Sequence, residues 1–165
     1  MNPVEAALAY AAGGRRVFPC RDKNSPRFPW RKIATTDAAL IRKWWTRWPD
    51  NLIASLTGEV DVVLDVDPPE GLDTLADLGV SCWVVTPTVH TPRGGLHAHL
   101  AIPPGNIRNT TGKRRRGIGV NLDWRGLGGY VLLPGAGQYR WVPHLGPDLP
   151  LAKMPPELFV GDGGR

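Results

Sequence analysis

The sequence is poor in cysteine and has no long hydrophobic run. Its two cysteines, Cys20 and Cys82, lack the paired spacing of zinc ligands, so they cannot form a four-ligand zinc site unaided. Without a secretion signal they are expected to be reduced thiols and not a disulfide. No stretch approaches the roughly 20 apolar residues that a membrane-spanning helix needs. We therefore expect a cytoplasmic protein.

Length and charge narrow the class further. The chain has 165 residues, of which 42% are hydrophobic, which suits one soluble domain with a sizeable core. Lysine and arginine number 20 against 15 acidic residues, giving a net charge of +5 and an isoelectric point near 9.6. This surplus favours a polyanionic partner without establishing one.

The most informative stretch is residues 59–69, which read EVDVVLDVDPP. Because alternate side chains of a strand share a face, this stretch predicts two unlike faces. These are Val60, Val62, Leu64 and Val66 on one side, and Asp61, Val63, Asp65 and Asp67 on the other. Paired carboxylates repel unless a cation lies between them, and a hard divalent metal is the simplest one. The same Asp-x-Asp pattern is also common as the opening of a solvated turn.

Periodicity predicts more strands than helices. Helices are expected at 3–12, from 36 or 37 to 48, and at 70–78. Strands are expected at 15–20, 51–57, 60–67, 83–89, 96–102, 118–124, 130–133 and 138–142. This mixture favours an α+β fold over a doubly wound parallel sheet.

Some details of these elements can be tested. The second and third strands are expected to form a hairpin-like connection at Gly58-Glu59. In the helix at 70–78, Leu72, Leu75 and Leu78 are expected to face inward. The tryptophans of the second helix, Trp44, Trp45 and Trp48, fall on one face and are expected to belong to the core.

Polar side chains recur at strand ends, opposite the apolar face of each strand. They are Asp65, Asp67, His97, His99 and Asp123. If the strands expected at 60–67, 96–102 and 118–124 are neighbours in one sheet, a single cleft holds three carboxylates and one or two imidazoles. The pairs Gly94-Gly95 and Gly128-Gly129 would allow a close backbone approach to a ligand.

These residues resemble a known family. The order VVLDVD, then Gly94-Gly95-Leu96-His97, then GVNLDWRGLGGYVLLPG is similar to the archaeo-eukaryotic primase superfamily, and within it to the Prim-Pol domains of plasmid and phage replication proteins. The resemblance covers roughly residues 4–142. It implies a mixed or antiparallel sheet core with an RRM-like catalytic module and a small N-terminal α/β module. We expect residues 1–145 to form the catalytic domain and 146–165 a loosely structured tail or linker.

The resemblance also implies roles for individual residues. Asp65, Asp67, His97 and Asp123 would be catalytic, the three aspartates as metal ligands. His97, with Arg93, Gly95 and Arg125, would bind the nucleotide. Weaker candidates for nucleic-acid contacts are Lys23 and the run Lys113, Arg114, Arg115 and Arg116. The sequence departs from the family at His99, where an aromatic residue is usual.

The expected activity is that of a DNA primase and DNA polymerase. Two Mg²⁺ or Mn²⁺ ions would serve as cofactors, dNTPs or rNTPs as substrates, and a DNA template and primer as partners. A helicase domain or protein of the same replication system is a further candidate partner.

Two other readings of the residues stay open. His97-Ala98-His99 also resembles the metal site of rolling-circle initiators, in which Tyr130 or Tyr139 would attack DNA. A nucleic-acid-binding module without chemistry is the other.

Overall fold

Two antiparallel sheets and four helices make up the fold in the computed structural model, which describes residues 2–80, 84–105, 107–110 and 118–158. This confirms the predicted α+β class. The helices are α1 (Pro3–Ala12), α2 (Trp30–Ile33), α3 (Ala38–Arg47) and α4 (Glu70–Asp77), with a 3₁₀ turn at Pro156–Leu158. The strands are β1 (Val17–Cys20), β2 (Leu52–Leu56), β3 (Val62–Val66), β4 (Thr88–His90), β5 (Leu96–Leu100), β6 (Leu122–Arg125), β7 (Tyr130–Leu133) and β8 (Arg140–Trp141). In the described part of the chain, every helix is too short or too polar to cross a membrane.

Local signals fix the starts of the two long N-terminal helices. The Asn2 side chain accepts a hydrogen bond from the Glu5 amide at 2.9 Å, and the Glu5 carboxylate accepts one from the Asn2 amide at 3.1 Å. Asp37 caps α3 in the same way, accepting from the Leu40 amide at 2.8 Å. Trp44 and Trp45 are buried, which confirms that this tryptophan face belongs to the core.

The first sheet has the order β1-β2-β7 and packs against α1 and α3. The expected hairpin between β2 and β3 is wrong, because β1 and β7 occupy both edges of β2. The chain instead passes to the second sheet through Gly58, which has a φ of +81°. A Cβ there would lie 2.5 Å from the backbone of Leu127, so the crossing leaves no room for a side chain.

The second sheet has the order β6-β3-β5-β4-β8. One face carries the predicted apolar residues of β3 and β5 and packs against α4 through Leu75. Leu78 is partly buried there, whereas Leu72 is 50% exposed, which contradicts its expected inward position. The buried residues of this helix are Gly71 and Leu75, so the face that α4 turns to the sheet does not include Leu72.

The opposite face of the second sheet turns toward the first sheet. Val63 of β3 packs against Val131 and Leu133 of β7. The face predicted to be polar is therefore an interface between two sheets, and the site lies where this interface opens.

Three sequence regions differ from expectation in smaller ways. The basic segment after β1 contains α2, where no periodicity had predicted a helix. The strand expected from residue 118 begins only at Leu122, because Asn121 takes a φ of +57°. Part of the expected loose tail packs on the second core: Ala152 bridges Leu100, and Leu158 is buried. The boundary at residue 145 stays a prediction.

Candidate active site

Three of the predicted site residues form a row across the second sheet. In the strand register Asp65 of β3 lies opposite His97 of β5 on one side and opposite Asp123 of β6 on the other. Directly opposed residues of antiparallel strands have Cβ atoms roughly 4.5–5.5 Å apart. The register therefore brings together two carboxylates and one imidazole that are far apart in sequence.

Arg125 supplies the positive charge that this row needs. Its Nη2 donates to Asp65 Oδ2 at 2.7 Å, and its Nε donates to the same oxygen at 3.1 Å. The same Nη2 lies 3.7 Å from Asp123 Oδ2. Asp123 is also oriented by Thr110, whose hydroxyl donates to Asp123 Oδ1 at 3.2 Å. The guanidinium thus bridges two carboxylates that would otherwise repel.

Asp65 is ionised at neutral pH. Burial alone would raise the pKa of Asp65, but His97, whose Nε2 lies 3.4 Å from Asp65 Oδ1, and the charge of Arg125 outweigh it and hold that pKa well below its usual range. A carboxylate that stays charged although it is only 5% exposed is suited to bind a cation.

The other residues of the predicted motifs lie at the end of β3. Asp67 is half-buried and follows the strand, with its amide donating to the Asn121 carbonyl at 2.9 Å. Gly95 starts the β5 side of the turn, where a Cβ would lie 2.7 Å from the Val66 carbonyl oxygen. This glycine therefore serves the packing of the turn against β3. Arg93 is exposed in the same turn.

A cleft of about 270 Å³ opens beside Asp65 and His97. Lys23 and Arg125 line it, as do Tyr130 and Tyr139 and three residues that the sequence did not single out, Trp30, Arg31 and Asn109. No motif marked these three side chains, because they come from a short helix and a loop that meet only in the fold. The predicted nucleic-acid contacts Lys113, Arg114, Arg115 and Arg116 lie outside the described residues.

A second charged group lies on the same face but away from the cleft. Asp61, immediately before β3, is fully buried and accepts from Arg15 Nη2 at 2.6 Å and from His99 Nδ1 at 2.5 Å. Burial lowers the pKa of His99, so its ring is neutral at neutral pH, while His99 and the charge of Arg15 keep the pKa of Asp61 low against the effect of burial. His99 therefore serves Asp61, away from the cleft.

The position of His99 argues against the rolling-circle initiator reading, in which His97 and His99 bind one metal. His97 contacts Asp65 and His99 contacts Asp61, so the two imidazoles serve different carboxylates. Tyr130 donates its hydroxyl to the Lys23 carbonyl at 2.9 Å. Burial raises the pKa values of Tyr130 and Tyr139, which disfavours the phenolate that a tyrosine nucleophile needs.

The donor chemistry fits a divalent metal. Asp65 and Asp123 are adjacent carboxylates and Asp67 follows two residues later, which gives the all-oxygen set that Mg²⁺ and Mn²⁺ prefer. Among the described residues, however, no group of three acidic, histidine or cysteine side chains lies close enough together to hold an ion. Arg125 carries the counter-charge in this arrangement, so a metal would share the carboxylates with it or displace it.

Comparison with known protein families identifies the domain. No curated protein matches the sequence at a significant level. The family model described as "Bifunctional DNA primase/polymerase, N-terminal" matches residues 7–157, which spans both sheets and the cleft.

Proposed function

Because the chain belongs to the family of bifunctional DNA primase/polymerase N-terminal domains, we propose that it catalyses template-directed nucleotidyl transfer at Asp65, Asp67 and Asp123. One observation carries this assignment to residues. Asp65 is the direct cross-strand neighbour of both His97 and Asp123, and Asp65 and His97 line a cleft large enough for a nucleotide's phosphates, whereas Asp67 and Asp123 lie outside its lining.

The reaction joins a primer 3′ hydroxyl to the α-phosphate of a nucleoside triphosphate. A new P–O bond forms, the bond to the β-phosphate breaks, and pyrophosphate leaves. Two Mg²⁺ or Mn²⁺ ions held by Asp65, Asp67 and Asp123 would stabilise the charge that grows on the attacking and leaving oxygens. The protein contributes carboxylates that are already ionised and fixed by their strands.

His97 and Arg125 prepare the site around those carboxylates. His97 lines the cleft and would donate a hydrogen bond to a triphosphate oxygen. Arg125 holds Asp65 and neutralises the repulsion between Asp65 and Asp123 before substrate arrives. Arg93, exposed in the turn before His97, would add positive charge at the entrance.

The proposed substrates and partners follow from this chemistry. They are dNTPs or rNTPs and a DNA template with its primer, with a helicase of the same replication system as a candidate partner. Base pairing with the template would supply the sequence specificity, so the cleft needs no base-reading side chain.

Primer extension tests the proposal. The wild-type protein should extend a labelled primer on a DNA template with dNTPs and Mg²⁺ or Mn²⁺. The Asp65→Asn and Asp67→Asn double variant should lose activity by about two orders of magnitude or more, because metal charges supply several kcal/mol of transition-state stabilisation. Asp73→Asn is the matched control, since Asp73 is exposed on α4 and lies outside the cleft.

The same assay separates the alternatives. Undiminished extension by a folded double variant would refute the assignment of the aspartates. A covalent tyrosine–DNA adduct formed without any nucleotide would instead support the nickase reading. DNA binding that is indifferent to metal and nucleotide, with no product, would support the binding module.

A further inference from the structure

We propose that Lys23 and Arg31 bind the triphosphate of the incoming nucleotide, from the part of the cleft formed by the segment between β1 and α3. This inference rests on the proposed function, since it assumes that a nucleotide enters beside Asp65. It gives Lys23 a different role from the contact with nucleic acid expected from sequence, and it adds Arg31, which no motif marked.

The charge balance of the cleft is the first argument. Three basic side chains line it, Lys23, Arg31 and Arg125, against the single carboxylate of Asp65. Arg125 is already paired with Asp65. Across residues 2–80, 84–105, 107–110 and 118–158, no carboxylate forms an ion pair with Lys23 or Arg31. The cleft therefore has two uncompensated positive charges next to the proposed reaction centre, and an anion would complete it.

Arg31 is held in place without using up its charge. Its Nη2 donates to the Gly128 carbonyl at 3.0 Å, and its guanidinium lies 4.6 Å from the centre of the Trp30 ring. Trp30 in turn stacks on Phe18 of β1, with ring centres 5.7 Å apart and planes at 11°. The guanidinium has five N–H donors, and the Gly128 carbonyl engages one of them. The remaining N–H groups can therefore bind phosphate oxygens bidentately.

Lys23 is fixed through its backbone. The Tyr130 hydroxyl donates to the Lys23 carbonyl at 2.9 Å, which ties the loop to β7. Tyr130 also packs edge-on against Trp30, with ring centres 5.0 Å apart. A loop anchored in this way holds Lys23 at the cleft, so ordering it around a phosphate costs less entropy than ordering a free loop would.

The position favours a nucleotide's triphosphate over a DNA strand. Lys23 and Arg31 line the same cleft as Asp65 and His97, and its volume of about 270 Å³ is close to that of a small-ligand pocket. An α-phosphate at Asp65 leaves the β- and γ-phosphates within that cleft. The phosphates of a strand are spread along its length and would meet an outer surface instead.

Calorimetric titration with three probes tests this at one salt concentration with Mg²⁺ present: dTTP, inorganic tripolyphosphate and single-stranded DNA. Lys23→Ala and Arg31→Ala should each weaken dTTP and tripolyphosphate binding about tenfold, since each removes a charge-assisted contact, and should change DNA affinity less than about twofold. The matched controls are Lys32→Ala and Arg27→Ala, from the same segment but outside the cleft lining. These should bind all three probes like the wild type.

The outcomes separate the two proposals. Unchanged dTTP and tripolyphosphate binding in both variants would overturn the inference, and so would a loss for DNA as large as that for dTTP. If the variants lose triphosphate binding but the wild type extends no primer, the phosphate site stands and the proposed polymerase function fails.

Discussion

Breaking the buried ion pair between Arg15 and Asp61 should destabilise the fold far more than breaking its neighbour in sequence, the pair between Arg16 and Glu59. We predict that Asp61→Asn lowers the free energy of unfolding by about 3–5 kcal/mol, because it leaves the Arg15 guanidinium buried without its counter-charge. Glu59→Gln should lower it by no more than about 1 kcal/mol, as is usual for exposed pairs.

The difference follows from burial, since the chemistry of the two pairs is the same. The Arg15–Asp61 contact is 2.6 Å with side chains 12% and 0% exposed, whereas the Arg16–Glu59 contact is 3.1 Å with side chains 37% and 36% exposed. Asp61 also accepts from His99, so the asparagine variant weakens a second buried contact.

Urea unfolding at pH 7, followed by circular dichroism, measures both variants. The double variant Arg15→Met and Asp61→Leu should be less destabilised than the sum of its two single changes, because it removes both buried charges together. Equal losses for Asp61→Asn and Glu59→Gln, both below about 1 kcal/mol, would refute the reasoning.

Two further predictions concern His99 and Arg125. Because burial lowers the pKa of His99, its ring is protonated at a higher pH in the unfolded chain than in the folded one. The free energy of unfolding should therefore fall as the pH drops below about 6.5. In the His99→Asn variant the midpoint of urea unfolding should change less between pH 7.5 and 5 than it does in the wild type. The same pH dependence in both proteins would contradict this. Arg125→Met leaves Asp65 and Asp123 facing each other, so its melting temperature should rise more with Mn²⁺ than that of the wild type. Equal rises would show that Arg125 does not act as the counter-ion.

Strands β3 and β5 of the second sheet were largely predictable, because their patterns are strong, whereas β4, expected at 83–89, is only Thr88–His90. Alternation along β5 placed His97 and His99 on one face and the apolar residues on the other, as the structure has them. The Asp-x-Asp before two prolines located the end of β3. These signals are local, and the structure agrees with them because α4 and the C-terminal segment cover one face of the sheet.

Which strands are neighbours was harder to predict. Adjacent runs at β2 and β3 look like a hairpin in sequence, but pairing depends on which partner fills each edge, and β7 comes from much later in the chain. For the same reason the cleft residues Trp30 and Arg31 gave no signal. Their segment has no periodicity, and its position depends on the stacking of Trp30 on Phe18 and the contact with Tyr130.

Asp61 and Asp65 show what sequence alternation cannot separate. Asp65 lies in β3 and Asp61 immediately precedes it, and each has an arginine and a histidine as partners. At the Asp61 end the side chains of Asp61 and His99 are fully buried and that of Arg15 is 12% exposed, and Val63 packs on β7 between the two aspartates. At the Asp65 end the sheets part and the cleft begins. The same trio of residue types therefore forms a buried tie between the α1–β1 connection and the second sheet at one end and lines the cleft at the other, because only the Asp65 end opens into the cleft.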